Sequence, residues 1–290
     1  MTEFLNVTQP YNWTMVQAFL YRRAIAGIET CEAMSYSRYF DETEFYGQQS
    51  LKGLSTDSVT LSSSWFKATY QPQQQRFQIE LRLHDPDCRQ AVLANIARVL
   101  DAHQSMPMIE QALLDAGFTL ADVTPGIRLP ATWSPFEALI RAIVGQQISV
   151  TGAVNILNKW IGSIRVATPN IKHFPVPREL AEALSHVDTP ILPMPKARQQ
   201  TLLAASQYAQ DQVLSSQDSI NALLDIKGIG PWTVNYVLMR GLSAPDVFLH
   251  NDLVVKNQLA RFALVSPIRP ALAAPWQSYV CIQLWEHANT

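Results

Sequence analysis

The chain has 290 residues, of which 48% are hydrophobic and 16% charged, and its formal net charge at pH 7 is −2. This length allows two or three domains with buried cores, and the composition excludes an intrinsically disordered chain. The small negative charge argues against a protein that coats nucleic acid non-specifically, although a local contact through backbone amides stays compatible with it.

No apolar run reaches the ~18 residues of a membrane-spanning helix, and the first residues lack the basic and apolar regions of a signal peptide. We therefore expect no membrane partner. The chain has three scattered cysteines, Cys31, Cys88 and Cys281. This odd and sparse set predicts a reduced, cytoplasmic location, and it is too small for an iron–sulfur cluster held by four thiolates.

Residues 1–95 predict a mixed α/β domain. The segment from Tyr11 to Ile25 has helical spacing, and the segments EAMSYSRYF, SVTLSSSWFKATY and QRFQIELRLH indicate strands. The polar segment QPQQQ predicts a hairpin loop. The residues from His84 to Cys88 could suggest a metal site, but a turn that caps a helix starting near Arg89 is the better interpretation.

Helical periodicity dominates the remaining residues, 96–290. Ser134 and Pro135 have the cap and first-position proline of a helix start. Gly145, Gln146 and Gln147 then interrupt an apolar helical run, which is typical of a corner between two helices with its glutamines in solvent.

The stretch from Asn221 to Gln258 carries the most information. It predicts a short helix, a tight turn in which Gly228 and Gly230 flank Ile229, and a second helix that starts at Pro231. The free amides of such a helix start suit a phosphate, although a Gly-x-Gly turn is also a common structural joint. Asp252 opens a third helix, either as its N-cap alone or also as a functional acid.

The pattern L-x-x-I-K-G-I-G-P-W-T-x-x-Y, followed by F-L-H-N-D-L-V-V-K, resembles the helix-hairpin-helix DNA glycosylase superfamily. Four further segments occur in the order found in its bacterial AlkA branch: PYNWTMVQAFLYRRA, FEALIRAIVGQQISV, MPKARQQTLL and PWQSYVCIQLW. The resemblance implies an α+β fold, with the mixed domain at 1–95 followed by two facing helical subdomains in 96–290. The hairpin would lie near 221–240, with Asp252 beside it in the cleft.

The resemblance also implies an activity in base excision repair. The protein would flip alkylated bases of the 3-methyladenine and 7-methylguanine class out of duplex DNA and hydrolyse their N-glycosidic bonds. Asp252 matches the catalytic aspartate, whose carboxylate would stabilise an oxocarbenium-like sugar or position water. Trp232 stands where glycosylases that also cut the strand have a lysine, so the resemblance implies no lyase activity.

Further residues match by position. The implied base pocket consists of Phe19, Trp232, Tyr236 and Trp285, although any one aromatic residue alone would more often belong to a core. The implied DNA contacts are Gln147, as the plug that replaces a flipped base, and Lys227, Gly228, Ile229 and Gly230 of the hairpin. The main-chain carbonyls of Leu224, Ile226 and Ile229 match those that can bind a structural Na⁺ or K⁺ ion, and no other cofactor is required.

Four positions depart from the AlkA pattern. Gln147 replaces a leucine wedge, and Leu253 replaces an aromatic residue beside the catalytic aspartate. His250 and Asn251 replace a proline-acid pair, and His250 is either a loop histidine in solvent or a general acid.

The expected partner is double-stranded DNA with alkylated bases, bound by a monomer in the bacterial cytoplasm at the nucleoid. Two alternatives stay open: a catalytically inactive damage-binding protein with the same hairpin, and a glycosylase for oxidised or mismatched purines. Asp252 and the aromatic set favour an active enzyme. The second alternative usually has the hairpin lysine or an iron–sulfur loop, and this sequence has neither.

Overall fold

An antiparallel five-stranded sheet forms the first part of the computed structural model, which describes residues 2–45, 63–167, 172–185 and 194–288. The strand order is β1-β5-β4-β3-β2, with β1 at Thr2–Asn6, β2 at Glu29–Glu32, β3 at Ser35–Phe40, β4 at Ser64–Gln71 and β5 at Arg76–Arg82. Alternate side chains of each central strand are buried, which is the period of a sheet with one face on a core.

The predicted strand segments are confirmed where they are described. Residues 58–62, the start of one of them, lie outside the described residues. The QPQQQ loop is a short 3₁₀ turn, Pro72–Gln74, and Gln75 follows it with a φ of 53°. The edge strand β1, which pairs with β5, is absent from the sequence prediction.

Eleven helices are assigned as α-helices among the described residues. They are α1 Trp13–Tyr21, α2 Arg89–Val99, α3 Met106–Asp115, α4 Pro135–Gly145, α5 Val150–Ala167, α6 Pro177–Ser185, α7 Lys196–Asp211, α8 Gln217–Asn221, α9 Pro231–Gly241, α10 Leu253–Phe262 and α11 Gln277–His287. The resulting α+β architecture is the predicted fold class. Helix α1 is shorter than the predicted segment 11–25, because the chain tightens after it into a turn in which the Arg23 amide donates to the Leu20 carbonyl at 3.0 Å.

One predicted helix start, that of α4, has the expected cap, whereas the cap predicted near α2 belongs to the 3₁₀ turn Pro86–Cys88 that precedes it. The Ser134 hydroxyl accepts from the Glu137 amide at 3.2 Å at the start of α4. Asp85 accepts from the Asp87 amide at 2.9 Å in the turn just before α2. The 3₁₀ turn Pro86–Cys88 and its Asp85 cap support the turn interpretation of this segment. In the described part of the chain, no group of three or more His, Cys, Asp or Glu side chains could hold a metal ion.

The buried apolar residues fall into two clusters. The first joins the sheet to α1, α2 and α3, and it also contains most of α11. The second is built from α4 to α9, together with Ile25 and Ile28. Helix α2 spans the predicted domain boundary at residue 95 and packs in the sheet's own cluster, while that boundary itself stays a prediction. None of the described helices is both long and apolar enough to cross a membrane.

Candidate active site

The predicted hairpin is the joint between α8 and α9. A 3₁₀ turn, Ala222–Asp225, leads into the loop, and Gly228 adopts a φ of +93° there. A Cβ atom on Gly228 would lie 2.2 Å from the hydroxyl of Thr201 in α7, so this position requires glycine for space as well as for conformation. The loop is therefore pressed closely against α7.

The side chain of Ile229 is buried in the second cluster, whereas Lys227 and Gly228 are exposed. A Cβ atom on Gly230 would meet no other atom within 4 Å, so the surroundings of this glycine are open. Helix α9 begins directly after it with Pro231, and its first amides have no acceptor within the helix. The hairpin thus presents main-chain donors outward on an anchored loop, and Ile229 can contribute to a partner only through its backbone.

Asp252 lies at the start of α10 and is half-buried. One carboxylate oxygen, Oδ1, accepts from the Val255 amide at 3.0 Å and from the Trp285 indole at 3.2 Å. The other, Oδ2, accepts from the Trp232 indole at 3.2 Å. The residue is therefore an N-cap, as one interpretation held, and it is also held by side chains from two other helices, α9 and α11.

The four aromatic residues assigned to a base pocket form two pairs. Trp232 and Tyr236 have ring centroids 5.4 Å apart, and both are half-buried. Phe19 and Trp285 are stacked at 6.3 Å, but only 1% of Phe19 and 8% of Trp285 is exposed. In this arrangement only the first pair offers accessible ring surface to a ligand.

Two arginines that the sequence analysis missed surround Phe19. The Arg23 guanidinium lies 3.7 Å from the centre of the Phe19 ring and 5.9 Å from that of Trp285. The Arg240 guanidinium lies 4.5 Å from the Phe19 ring centre and donates to the Tyr236 hydroxyl at 3.4 Å. Arg240 follows Tyr236 by four positions, which places the two on one face of α9 and is the signal that could have found this arginine. Arg23 follows Phe19 at the same spacing, but it lies in the turn after α1.

The charge of these arginines affects whether the site attracts a cationic ligand. Burial lowers the pKa of Arg23 to about 9, with a further contribution from the charge of Arg240. Burial likewise lowers the pKa of Arg240. Because Arg23 stays protonated near pH 7, the surroundings of Phe19 are positively charged, and Phe19 has no free face with which to attract a cationic ligand.

The predicted plug residue lies at the corner between α4 and α5. Gln147 is exposed and has a φ of 61°. Its neighbour Gln146 is not simply in solvent: its side-chain amide donates to the Gly228 carbonyl at 3.0 Å and to the Thr233 hydroxyl at 3.3 Å. The corner is therefore bonded to the hairpin.

The other departures from the AlkA pattern flank Asp252: His250 and Asn251 precede it, and Leu253 follows it as the first residue of α10. His250 is exposed, with its ring edge-on to Phe248 at 4.8 Å between centroids. Leu253 is 70% exposed. Lys256, which follows on α10, donates from Nζ to the Asn251 side chain at 3.1 Å, so the amine of Lys256 lies close to the loop before Asp252.

Comparison with known proteins gives a consistent result. The family model of the AlkA N-terminal domain matches residues 3–134. The chain is 29% identical to DNA-3-methyladenine glycosylase 2 of Escherichia coli K12, over 97% of this chain and 95% of that protein. It is 32% identical to a probable bifunctional transcriptional activator/DNA repair enzyme AlkA of Mycobacterium tuberculosis, over 56% of this chain and 35% of that one.

Among solved structures, the 3-methyladenine DNA glycosylase from Archaeoglobus fulgidus matches with a TM-score of 0.72. The match covers 99% of this chain and 98% of the other at 14% identity. At this identity the likeness concerns the fold, and it extends over both the sheet and the helices.

Proposed function

The chain belongs to the AlkA branch of the helix-hairpin-helix DNA glycosylases, and from this premise we propose that it hydrolyses the N-glycosidic bond of alkylated bases in duplex DNA. The observation that carries the proposal is the setting of Asp252. A single carboxylate, held by indoles from α9 and α11, lies one short loop away from the helix that follows the hairpin. The family places its catalytic acid at this position.

The carboxylate acts on charge that develops during the reaction. As the N-glycosidic bond breaks, the sugar becomes oxocarbenium-like, and a fixed negative charge beside it lowers the barrier. The two indole donors hold the carboxylate in one orientation without neutralising it. Water is then the nucleophile, because Trp232 occupies the place where a lysine would attack the sugar.

The hairpin and the α4–α5 corner supply the contacts to DNA. Main-chain amides at Gly228, Gly230 and the start of α9 bind a backbone phosphate, with Lys227 adding positive charge. Gln147 enters the duplex and fills the space left by a flipped base. These contacts use few positively charged side chains, which agrees with the protein's net charge of −2.

The extruded base stacks on Trp232 and Tyr236, whose rings are the accessible ones. Bases alkylated at a purine ring nitrogen, such as 3-methyladenine and 7-methylguanine, carry a positive charge and leave readily. Because arginines cover Phe19, we assign selectivity mainly to this intrinsic weakness of the bond and only partly to attraction between the base and aromatic faces.

A Na⁺ or K⁺ ion at the hairpin would be held by the main-chain carbonyls of Leu224, Ile226 and Ile229. The carbonyl of Ile226 accepts the turn bond from the Ile229 amide at 3.0 Å, and its second lone pair stays available for an ion. Such an ion would add positive charge where a phosphate approaches.

We further propose that the protein works as a monomer in the bacterial cytoplasm.

The decisive experiment is base release from methylated duplex DNA by the purified protein, with Asp252→Asn as the matched control. Asparagine is also a good N-cap, so α10 and the fold should be kept. Removing the charge should slow excision by roughly 100-fold or more, the effect of losing one strong electrostatic stabiliser. Binding to lesion-bearing DNA should persist.

Three results would contradict the proposal. Excision by Asp252→Asn within about tenfold of the wild type would remove the carboxylate from the mechanism. Binding of damaged DNA without any base release by the wild type would instead identify an inactive damage-binding protein. Faster release of 8-oxoguanine than of 3-methyladenine would identify an enzyme for oxidised purines.

A further inference from the structure

We propose that Gln146 is a positioning residue, which fixes the corner carrying Gln147 to the hairpin so that the plug and the phosphate-binding loop meet DNA as one rigid unit. This inference rests on the proposed function, because it concerns how two DNA-contacting elements of that function are coupled. It assigns no chemistry to Gln146 itself.

The contact joins two elements that are distant in the sequence. Gln146 is the C-terminal cap of α4, and its Nε2 atom donates to the Gly228 carbonyl at 3.0 Å and to the Thr233 hydroxyl at 3.3 Å. A side-chain amide has two N–H donors, so both bonds form at once. Gln146 and Gly228 are 82 positions apart, so this tether is purely tertiary.

The hairpin end of the tether is rigid. The Thr201 hydroxyl lies 2.9 Å from the Lys227 carbonyl, and Gly228 packs so closely on Thr201 that no side chain fits between them. Ile229 anchors the next position in the second apolar cluster. A residue bonded to the Gly228 carbonyl is therefore bonded to a fixed point.

At the other end of the tether, the backbone of the α4–α5 corner has a conformation that needs support from the surrounding structure. Gln147 has a φ of 61°, a left-handed conformation that is uncommon for a residue other than glycine, and its side chain is exposed. Such a conformation persists only where the surrounding structure over-determines it, and it often occurs at functional sites. The tether from the adjacent Gln146 supports this corner from outside, beside the main-chain bond from the Ile148 amide to the Gly145 carbonyl at 3.3 Å.

The coupling has a consequence for binding. If the corner moved independently, ordering it against the duplex would cost conformational entropy each time the plug entered. With the tether in place, phosphate binding at the hairpin sets the position from which Gln147 enters the gap. Gln146 should therefore matter for DNA that contains a gap and matter little for intact duplex.

The test uses Gln146→Met, which keeps the length of the side chain and removes both donors. Dissociation constants are measured for duplex containing a tetrahydrofuran abasic-site mimic and for the intact duplex of the same sequence. We expect binding to the abasic duplex to weaken by about tenfold, the scale of two lost hydrogen bonds, and binding to intact duplex to change by less than about twofold. The ratio of the two constants is the readout that a general loss of stability would not change.

A double-mutant cycle with Gln147→Ala completes the test. Gln147→Ala alone should weaken binding to the abasic duplex, and its effect should be much smaller when Gln146 is already methionine, because an untethered plug is placed poorly. Thr233→Val, which removes only the weaker of the two acceptors, should show a smaller loss than Gln146→Met. Gln146→Ala is made in parallel and gives the same comparison if the methionine variant does not fold.

Equal losses on the abasic and intact duplexes, or additive effects of the two glutamine substitutions, would overturn the inference and leave Gln146 as a stabiliser of the hairpin. Failure of the proposed function has a different signature. In that case the wild type itself releases no methylated base, whatever the Gln146 variants do to the ratio of the two dissociation constants.

Discussion

At the scale of single residues, the carboxylate of Asp252 and its two indole donors define the candidate site. Hydrogen bonds to a charged acceptor are stronger than those between neutral groups, so Trp232 and Trp285 restrict the carboxylate more than a neutral network would. Trp285 is 8% exposed, which makes it a support for Asp252 first and a stacking surface second. We therefore expect Trp285 to affect the excision of cationic and neutral bases alike.

Replacing Trp285 with phenylalanine should slow excision of every base to a similar extent. An aromatic ring is kept, while the pyrrole part of the indole is lost together with its N–H donor to Asp252. The loss of this bond should lower the single-turnover rate by about tenfold, the scale of one bond to a charged group. The measurement compares release of 7-methylguanine, which is cationic, with that of hypoxanthine, which is neutral. A loss confined to the cationic base would show that the indole acts as a stacking face.

The absence of lyase activity is a second prediction at this scale. Trp232 donates to Asp252, and the family resemblance implies that it stands in the place of a Schiff-base lysine, so borohydride should trap no covalent complex with abasic DNA. The two amines to test are Lys227 on the hairpin and Lys256, which bonds to Asn251. A trapped adduct that disappears in Lys256→Met but persists in Lys227→Met would assign the attack to α10, and the enzyme would then have lyase activity.

At the scale of structural elements, the two glycines of the hairpin are needed for different reasons. Gly228 is required by the fold, because of its φ of +93° and its contact with Thr201. Gly230 has an extended φ of −119° and open surroundings, so the fold would accept a side chain there. Only an approaching partner would exclude one.

Alanine substitutions at the two glycines should therefore behave differently. Gly228→Ala should lower the free energy of unfolding by about 1–3 kcal/mol, the usual cost of a strained backbone position. Gly230→Ala should change it by less than about 0.5 kcal/mol and should nevertheless weaken binding to duplex DNA. Urea unfolding and DNA titration of both variants provide the check, and unchanged binding by Gly230→Ala would place the phosphate elsewhere.

Local signals explain which elements could be predicted from the sequence. The Ser134 cap, the prolines at helix starts and the alternation in β5 act within a few residues, and each of these predictions is confirmed. Strand β1 has a weaker alternation, and its place depends on pairing with β5, more than 60 residues away. Non-local pairing of this kind leaves little trace in the short segment itself.

For the candidate site too, the sequence predicts what depends on local signals and does not predict what depends on contacts between distant segments. The sequence indicated Asp252, the hairpin and the aromatic residues through a linear motif, and their roles stay predictions. Its geometry depends on contacts between distant segments, such as Arg23 over Phe19 and Trp285, or Gln146 on Gly228. The sequence alone could not show that Phe19 lacks a free face, because the covering Arg240 comes from another helix.

At the scale of the whole molecule, buried charges join the sheet to the helical part. Glu137 on α4 pairs with Arg38 of β3 at 2.8 Å and with Arg141 at 2.7 Å. Arg141 also pairs with Glu29 of β2 at 2.6 Å and donates to the Arg23 carbonyl at 2.8 Å. The network thus links the sheet, α4 and the segment that carries Arg23, so the position of α1 beside the site depends on pairs that are costly to break singly.

A second buried junction links the segment after α2 to the C-terminal helix. Asp101 Oδ2 accepts from the Leu129 amide and from the hydroxyl of Tyr279 in α11, both at 2.8 Å. Burial raises the pKa of Asp101 to about 7, even though these donors and the charge of Arg128 act in the opposite direction. The carboxyl therefore binds a proton more tightly in the folded protein than in the unfolded chain.

This difference predicts how stability depends on pH. Between its unfolded pKa of about 4 and its folded pKa of about 7, Asp101 is protonated when folded and ionised when unfolded, so its favourable contribution is present at low pH and lost as the pH rises to about 7. Asp101→Asn, which keeps an acceptor and tolerates the residue's φ of 51°, should remove this dependence. The measurement is the free energy of unfolding in urea at pH 5 and pH 8 for both proteins. The wild type should lose more stability than the variant between these values, by up to about 1.4 kcal/mol for each unit of pKa difference within the interval. Parallel pH profiles would show that Asp101 has an ordinary pKa in the folded state, and that its two donors outweigh the cost of burial.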